Sequence, residues 1–192
     1  MVVIRQATMD DIPGMQDLDL DCFEEENHPG DYLYYEDYLV LWPGLSYVAE
    51  ENVTGRILGY VVARMEVTKP HGYISYLGVL PTHRRKGIAK KLMSVAQNAM
   101  VQEYGPERVS LHVLKSSRAA INLFTKRLGY KFYESADMFY DNGEDAYVLV
   151  KQLQGKQQAD HIGDGFGHAA GCLSSETARA KLKRQTETLQ LS

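Results

Sequence analysis

The stretch Ser75 to Met100, SYLGVLPTHRRKGIAKKLMSVAQNAM, constrains the fold more than any other part of the 192-residue chain. Tyr76, Leu77, Gly78, Val79 and Leu80 form a short apolar run that predicts a strand. Pro81 ends it, because proline has no amide donor and a fixed φ. His83-Arg84-Arg85-Lys86-Gly87 is a basic turn containing glycine. From Ile88 the apolar residues Leu92, Val95, Ala96, Ala99 and Met100 recur at helical spacing and predict an amphipathic helix.

The turn between strand and helix favours an anion. The first N–H groups of a helix have no partner within it, and the helix dipole places partial positive charge there. Gly87 lets the backbone approach a ligand closely, and Arg84, Arg85 and Lys86 add charge at the same place. A pyrophosphate suits such a turn. The competing reading is a solvated basic turn in front of an amphipathic helix, a common arrangement.

The formal net charge of −4 argues against a general nucleic-acid binder, so the basic turn is a local feature. The two cysteines, Cys22 and Cys172, form no disulfide framework and point to a reducing compartment. No signal peptide is expected at Met1 to Arg5, and no apolar run reaches the ~20 residues of a membrane span.

In chain order, Val2 to Ile4 predicts a strand, and Thr8 before Asp10 and Asp11 predicts a capped helix entry. Ile12, Met15 and Leu18 supply the apolar face of that helix. Glu24, Glu25 and Glu26 precede a loop at His28-Pro29-Gly30, and Tyr32, Tyr34, Tyr35 and Tyr38 follow on a second helix. This is either an acidic loop beside an aromatic packing face or the lining of a pocket for an amine. Leu45–Glu50 and Ile57–Val67 predict a hairpin, with Lys69 to Gly72 as a loop and Tyr73–Leu80 as the central strand. Gly78 marks either a bulge or a close backbone approach. Val109–Val113 predicts a strand, and Ser116-Ser117-Arg118 opens a helix that Gly129 ends. Tyr130–Ser135 and Tyr147–Val150 predict a last hairpin around Asn142-Gly143. From Gln152 glycine and polar residues dominate. Residues 154–192 are expected to be a flexible tail, with Ser175 to Leu191 compatible with a terminal helix. His161, His168 and Cys172 match no zinc spacing, and no metal is expected.

The spacing Arg84-x-x-Gly87-x-Ala89, after a strand and opening a helix, resembles the coenzyme A loop of the GNAT acetyltransferases. The segments LSYVAEE, ILGYVVARME, PHGYISYLGV, HRRKGIAKKLM, VSLHVLKSSRAAINLF and NGEDAYVL resemble, in that order, NatA-type N-terminal acetyltransferase catalytic subunits over residues 1–153. The resemblance implies an α/β (α+β) GNAT fold: a mixed, mostly antiparallel sheet with helices on both faces and one splayed parallel strand pair. It implies acetyl-CoA as acyl donor, held by Leu77, Gly78, Val79, Arg84, Arg85, Lys86, Gly87, Ile88, Ala89 and Ser117. Val79 would offer a backbone N–H to the thioester oxygen. Ser117 stands where relatives often carry asparagine.

For the acceptor, the resemblance implies a peptide pocket lined by Phe23, Glu26, Tyr32, Tyr73, Tyr76 and Tyr140. Its catalytic glutamate falls on Glu26, with Glu25 as rival because the loop lacks the family's proline and is longer. An α-amine has a pKa near ~8, so a modest base suffices; Glu26 and His112 are the candidates, His112 being equally compatible with a packed, hydrogen-bonded role. Phe124 stands where many relatives place a tyrosine acid, and it has no proton to give. Tyr73 stands where the NatA-like pattern has histidine. The implied activity is transfer of acetyl to the α-amine of protein N-termini, of NatA-type small residues or of acidic ones when the subunit is alone. The implied partners are a helical-repeat auxiliary subunit and, through it, the ribosome, with cytoplasmic residence and a nuclear fraction. The alternatives are a lysine or ribosomal-protein-type acetyltransferase and a non-catalytic acyl-CoA-binding module.

The loop alignment is tested by turnover. Glu26→Gln is expected to lower kcat about tenfold or more, and Glu25→Gln less; the reverse ranking in a peptide acetylation assay shifts the alignment by one residue.

Overall fold

In the computed structural model, residues 1–23, 32–66 and 70–153 are described. Strand β1 (Val2–Gln6) leads through a short helical turn (Met9–Asp11) into α1 (Ile12–Cys22). The entry is capped by a side chain: Asp11 Oδ2 accepts the Thr8 backbone N–H at 2.8 Å, and Arg5 anchors Asp11 in turn at 2.7 Å. Helix α2 (Tyr32–Leu41) is followed by β2 (Tyr47–Glu51), β3 (Ile57–Met65) and β4 (His71–Val79). Then come α3 (Ile88–Glu103), β5 (Arg108–Leu114), α4 (Arg118–Asn122), β6 (Lys131–Ala136) and β7 (Ala146–Gln152).

The seven strands lie in the order β1-β2-β3-β4-β5-β7-β6, and β4–β5 is the parallel pair. Strand β3 is buried on both faces except at Arg64. The reason is visible at two neighbouring residues. A side chain at Gly59 would run into Ile88 of α3, whereas Tyr60 points the other way and reaches Asp19 of α1 and Tyr35 of α2. Of the helical stripe read from the sequence, α3 buries Ile88, Leu92, Ala96, Ala99 and Met100 and leaves Val95 half-buried; Met93 and Gln97 join the core. Each large apolar side chain of that set contributes about 1.5–3 kcal/mol by leaving water.

A buried polar cluster ties the opposite layer together. The Asp19 carboxylate, fully buried, accepts the hydroxyls of Tyr35 and Tyr60, whose oxygens are 2.9 Å apart. A carboxylate out of water is tolerated only when its lone pairs are filled. The three residues therefore lock α1, α2 and β3 in one arrangement.

The bulge in β4 falls at Ser75, the extra residue between Tyr76↔Val62 and Ile74↔Ala63, not at Gly78. Gly78 marks a close approach instead: a Cβ there would lie 2.8 Å from Leu18 and 2.9 Å from Tyr60. The bulge changes which face each side chain takes. Tyr73 and Tyr76, three apart, would face opposite ways on a regular strand; one inserted residue puts both on the side of α1 and α2.

Two further boundaries differ from the sequence expectation. His71 and Gly72 belong to β4, because the parallel register pairs them with Arg108 and Val109. The helix after β5 stays α-helical only to Asn122, and Leu123–Arg127 winds as a π turn before Gly129 (φ 76°) ends it. The expected tail and its terminal helix lie outside the described residues. Among the described residues no helix is long and apolar enough to cross a membrane.

Gly78→Ala is expected to destabilise the protein by about 1–3 kcal/mol through overpacking, read as a lower urea midpoint at unchanged m-value.

Candidate active site

The site begins where a hydrogen-bond ladder stops. β4 and β5 pair only at His71↔Arg108, Gly72↔Val109 and Tyr73↔Ser110, although β4 continues to Val79 and β5 to Leu114. Beyond Tyr73 the two strands part. Backbone amides left unpaired along a strand must find another partner. The Leu80 N–H bonds Leu58 O across β3 at 2.9 Å. Successive amides alternate in direction, so Leu77 and Val79 turn theirs to the open edge. Gly78 turns its own toward Tyr60, its partner in β3. Of the three residues expected to meet the donor here, Leu77 and Val79 turn backbone amides to the open edge, and Gly78 pairs with Tyr60 and packs closely on Leu18.

At the end of this edge lies the basic turn. Gly87 caps α3 with φ 83°, a left-handed conformation that glycine adopts without a Cβ penalty. Among the described residues, and apart from the glycine's own neighbours in the chain and helix, no atom lies within 4 Å of the position a Cβ would take, so the space before the helix is open. Arg85 also has a positive φ, 68°, which costs energy in a residue with a side chain. Arg84, Arg85 and Lys86 are exposed. Arg84 Nε donates to the Val79 carbonyl at 3.0 Å, and the Cys22 thiol donates to the same oxygen at 3.3 Å. Arg84 thereby joins the phosphate turn to the strand end. The Ile88 side chain is buried over Gly59, so Ile88 offers a ligand its backbone N–H alone, beside that of Ala89. Ser117 stands at the N-terminus of α4, its N–H bonded to Leu114 O at 3.0 Å.

On the α1–α2 face of the same strands a second constellation forms. The Tyr73 hydroxyl lies 2.7 Å from His112 Nδ1. The His112 ring stacks on Phe139 at 3.9 Å with 7° between planes, and Tyr140 meets Phe139 edge-on at 5.1 Å. The Tyr76 hydroxyl donates to Tyr34, whose oxygen lies 3.0 Å from that of Tyr38. The Arg64 guanidinium stands 4.6 Å over the Tyr73 ring and pairs with Glu66 at 2.8 Å. The sequence candidates Tyr73 and His112 thus touch, Tyr140 joins them through Phe139, and Tyr76 joins the neighbouring Tyr34–Tyr38 pair.

The electrostatics of this face are those of a largely neutral wall. Burial raises the Tyr73, Tyr76 and Tyr140 phenols above their ordinary value, so they stay protonated. Burial first, and the Arg64 charge second, push His112 down to about 4. His112 is therefore neutral near neutral pH and a weak base. Phe124 is buried against Tyr130, a packing role that fits its lack of a proton. Phe23 closes α1, its N–H bonded to Asp19 O at 2.9 Å. Glu25 and Glu26 lie outside the described residues, as does the side chain of Tyr32. Among the described residues no group of acidic, histidine or cysteine side chains could hold a metal ion.

Sequence reasoning missed Arg64, although it is the one charged residue in the run Ile57–Met65 and carried that signal. It also missed Asp19 and the seat of His112 on Phe139, which arise from residues distant in the chain.

A parted parallel strand pair, edge amides and a glycine-opened helix together are what the sequence resemblance implies for an acyl-CoA transferase fold. The chain belongs to the acetyltransferase (GNAT) family, whose model matches residues 12–130. It is 50% identical over 159 residues to the N-terminal acetyltransferase A complex catalytic subunit NAA10 of Arabidopsis thaliana, covering 82% of this chain and 81% of that protein. It is 40% identical over 153 residues to the N-alpha-acetyltransferase daf-31 of Caenorhabditis elegans, covering 78% of this chain and 82% of that protein. Among solved structures it resembles a chain of the NatC complex bound to Gag peptide and CoA, with a TM-score of 0.70, 28% identity, and coverage of 80% of this chain and 99% of that one.

Gly87→Asp is expected to weaken acetyl-CoA binding at least about tenfold, since it adds a negative charge and a left-handed strain at the helix start. Gly87→Ala, with the strain alone, is expected to fall between it and the unaltered protein. Titration calorimetry reads both; unchanged affinity in Gly87→Asp removes the pyrophosphate assignment.

Proposed function

We propose that this protein transfers acetyl from acetyl-CoA to the α-amine of protein N-termini, by direct attack in a ternary complex. The observation that carries the reading is the gap between β4 and β5, which joins the phosphate turn at one end to the Tyr73–His112–Tyr140 wall at the other. The relatives' names supply the acceptor class.

The donor is held along the open edge. Its diphosphate meets the N–H groups of Gly87, Ile88 and Ala89 and the charges of Arg84, Arg85 and Lys86. Its extended arm takes the strand-edge amides, with Ser117 at the entrance to α4. Val79 directs its N–H at the thioester oxygen, where negative charge builds as the nitrogen attacks. The acceptor enters over Tyr76, Tyr73 and Tyr140, with Phe23 and Tyr32 flanking. A neutral, partly dry wall disfavours an ammonium, and an α-amine with pKa near ~8 reaches its neutral form at modest cost. Its proton passes to Glu26, or to Glu25, directly or through water. Phe124 gives the sulfur nothing, so the thiolate, with a parent pKa near ~8.5, departs unassisted or takes a proton from water.

Residues 1–153 form the catalytic domain in this reading, and 154–192 lie outside it. The Arabidopsis relative is named as a catalytic subunit of a complex. By that likeness this chain works with a helical-repeat auxiliary subunit at the ribosome, in the cytoplasm with a nuclear fraction, on small N-terminal residues exposed after methionine removal. Direct nucleic-acid and membrane contacts play no part.

Peptide pairs with free or blocked α-amines, assayed with and without an auxiliary subunit, test the reading. The expected result is acetylation of free α-amines only, with the residue preference shifting when the subunit is added. Acetylation confined to an internal lysine defeats it, and acetyl-CoA binding without turnover on any peptide favours a non-catalytic module.

A further inference from the structure

Two described residues other than glycine hold a left-handed backbone: Arg85, in the basic turn, and Met138, at φ 46°. A residue with a side chain adopts that conformation at a cost and keeps it only where its surroundings enforce it. Packing does not enforce it at Met138, which is 72% exposed. A hydrogen bond does. The Met138 N–H donates to Asp145 Oδ1 at 2.9 Å, across the connection between β6 and β7. The other oxygen of Asp145 accepts Lys115 Nζ at 2.8 Å, and the Lys115 N–H donates to the Asp145 carbonyl at 3.1 Å. Beside them Glu144 Oε1 accepts the Ser116 N–H at 3.2 Å and the Ser116 hydroxyl. The connection is thereby fastened to the segment that joins β5 to α4.

Strand β7 lies between β5 and β6. A plain hairpin after Ala136 would therefore leave β5 one strand out of reach. The left-handed turn at Met138 comes directly before Phe139, which stacks on His112 of β5 at 3.9 Å, with Tyr140 edge-on beside it. We propose that Asp145 is a positioning residue for the peptide wall: by bonding the Met138 N–H it holds the turn that carries Phe139 onto β5 and sets where Tyr140 stands. This deepens the acetyl-transfer reading and rests on it for the use of Tyr140. Asp145 acts through Phe139 and Tyr140, not on the reacting atoms. Its ion pair with Lys115 is part-exposed and by itself worth little, so the bond to Met138 carries the effect. The start of α4 is held independently, because the Ser117 N–H bonds Leu114 O and the Ile121 N–H bonds Ser117 O, both at 3.0 Å. Loss of Asp145 therefore acts on the peptide side and spares the donor side.

The test is a split between the two KM values in the full chain, assayed on an N-terminal peptide. Asp145→Ala is expected to raise the KM for peptide about tenfold, as the loss of one hydrogen bond to a charged group does, and to leave the KM for acetyl-CoA within about twofold. Asp145→Asn keeps an oxygen for the Met138 N–H and gives up only the ion pair; it is expected to stay within about threefold for both substrates. Glycine takes the left-handed turn without a Cβ penalty, so adding Met138→Gly to Asp145→Ala is expected to recover about threefold or more of the lost peptide KM. A merely structural role for Asp145 predicts no such recovery. An unchanged peptide KM in Asp145→Ala, a parallel rise in both KM values, or equal losses in the alanine and asparagine variants overturns the proposal. If Asp145→Ala does not melt cooperatively, hydrogen exchange in the unaltered protein decides: the Met138 amide is expected to exchange at least about tenfold more slowly than a free amide, and an unprotected amide overturns the proposal. A protein that acetylates no N-terminal peptide sinks the acetyl-transfer reading, while the exchange of the Met138 amide still decides whether Asp145 holds the turn.

Discussion

Everything functional in this molecule follows from an interruption in one ladder of backbone hydrogen bonds. Parallel strands β4 and β5 pair over three positions and then separate. In an uninterrupted sheet their amides would satisfy one another and offer nothing to a ligand. Parted, they leave one row of directed donors, and an extended chain bearing its own amides can fill it. The cost of that opening is borne by the rest of the sheet: β3, buried on both faces, and β7, which pairs with β5 along its whole length, hold the two sides in place.

The two ends of the gap are built from opposite physics. At the end nearest α3 the solution is charge and backbone: a left-handed glycine, a helix start, and three exposed cations. Such a surface binds anions without a shaped cavity, because the N–H groups already point outward. At the end nearest Tyr73 the solution is burial. Phenols and a neutral imidazole form a wall whose one described cation, Arg64, is paired with Glu66 and covered by Tyr73. Such a wall disfavours a charged group over its neutral form, because an ion entering it would lose hydration.

The link between the ends is local. Arg84 belongs to the phosphate turn yet bonds the carbonyl of Val79, and Cys22 at the end of α1 bonds the same atom. Helix α1 is itself fixed through Asp19 to Tyr35 and Tyr60. The Val79 end of β4 is thus held by the basic turn on one side and by helix α1 on the other. Preorganisation of this kind lets a single amide stabilise developing charge without reorganising at the moment of reaction.

Local signals carried much of this. Pro81, Gly87 and the stripe from Ile88 to Met100 wrote the strand, turn and helix into adjacent residues, since capping and amphipathic spacing act within a few positions. Asn142-Gly143 likewise marked the last hairpin, where the Gly143 N–H bonds Tyr140 O at 2.8 Å. The amino-acid order therefore determined the basic turn before α3 and the identities of the residues on the Tyr73 face. What only the tertiary structure decided was which way those residues point and whom they meet. The bulge at Ser75 swung Tyr76 onto the face of Tyr73, the parting of the strands left Leu77 and Val79 as edge donors while Gly78 went to packing, and β5 and the β6–β7 connection brought His112 under Phe139. Each depends on register between segments tens of residues apart, and register is set by the summed packing of a whole sheet, which no short stretch of sequence contains.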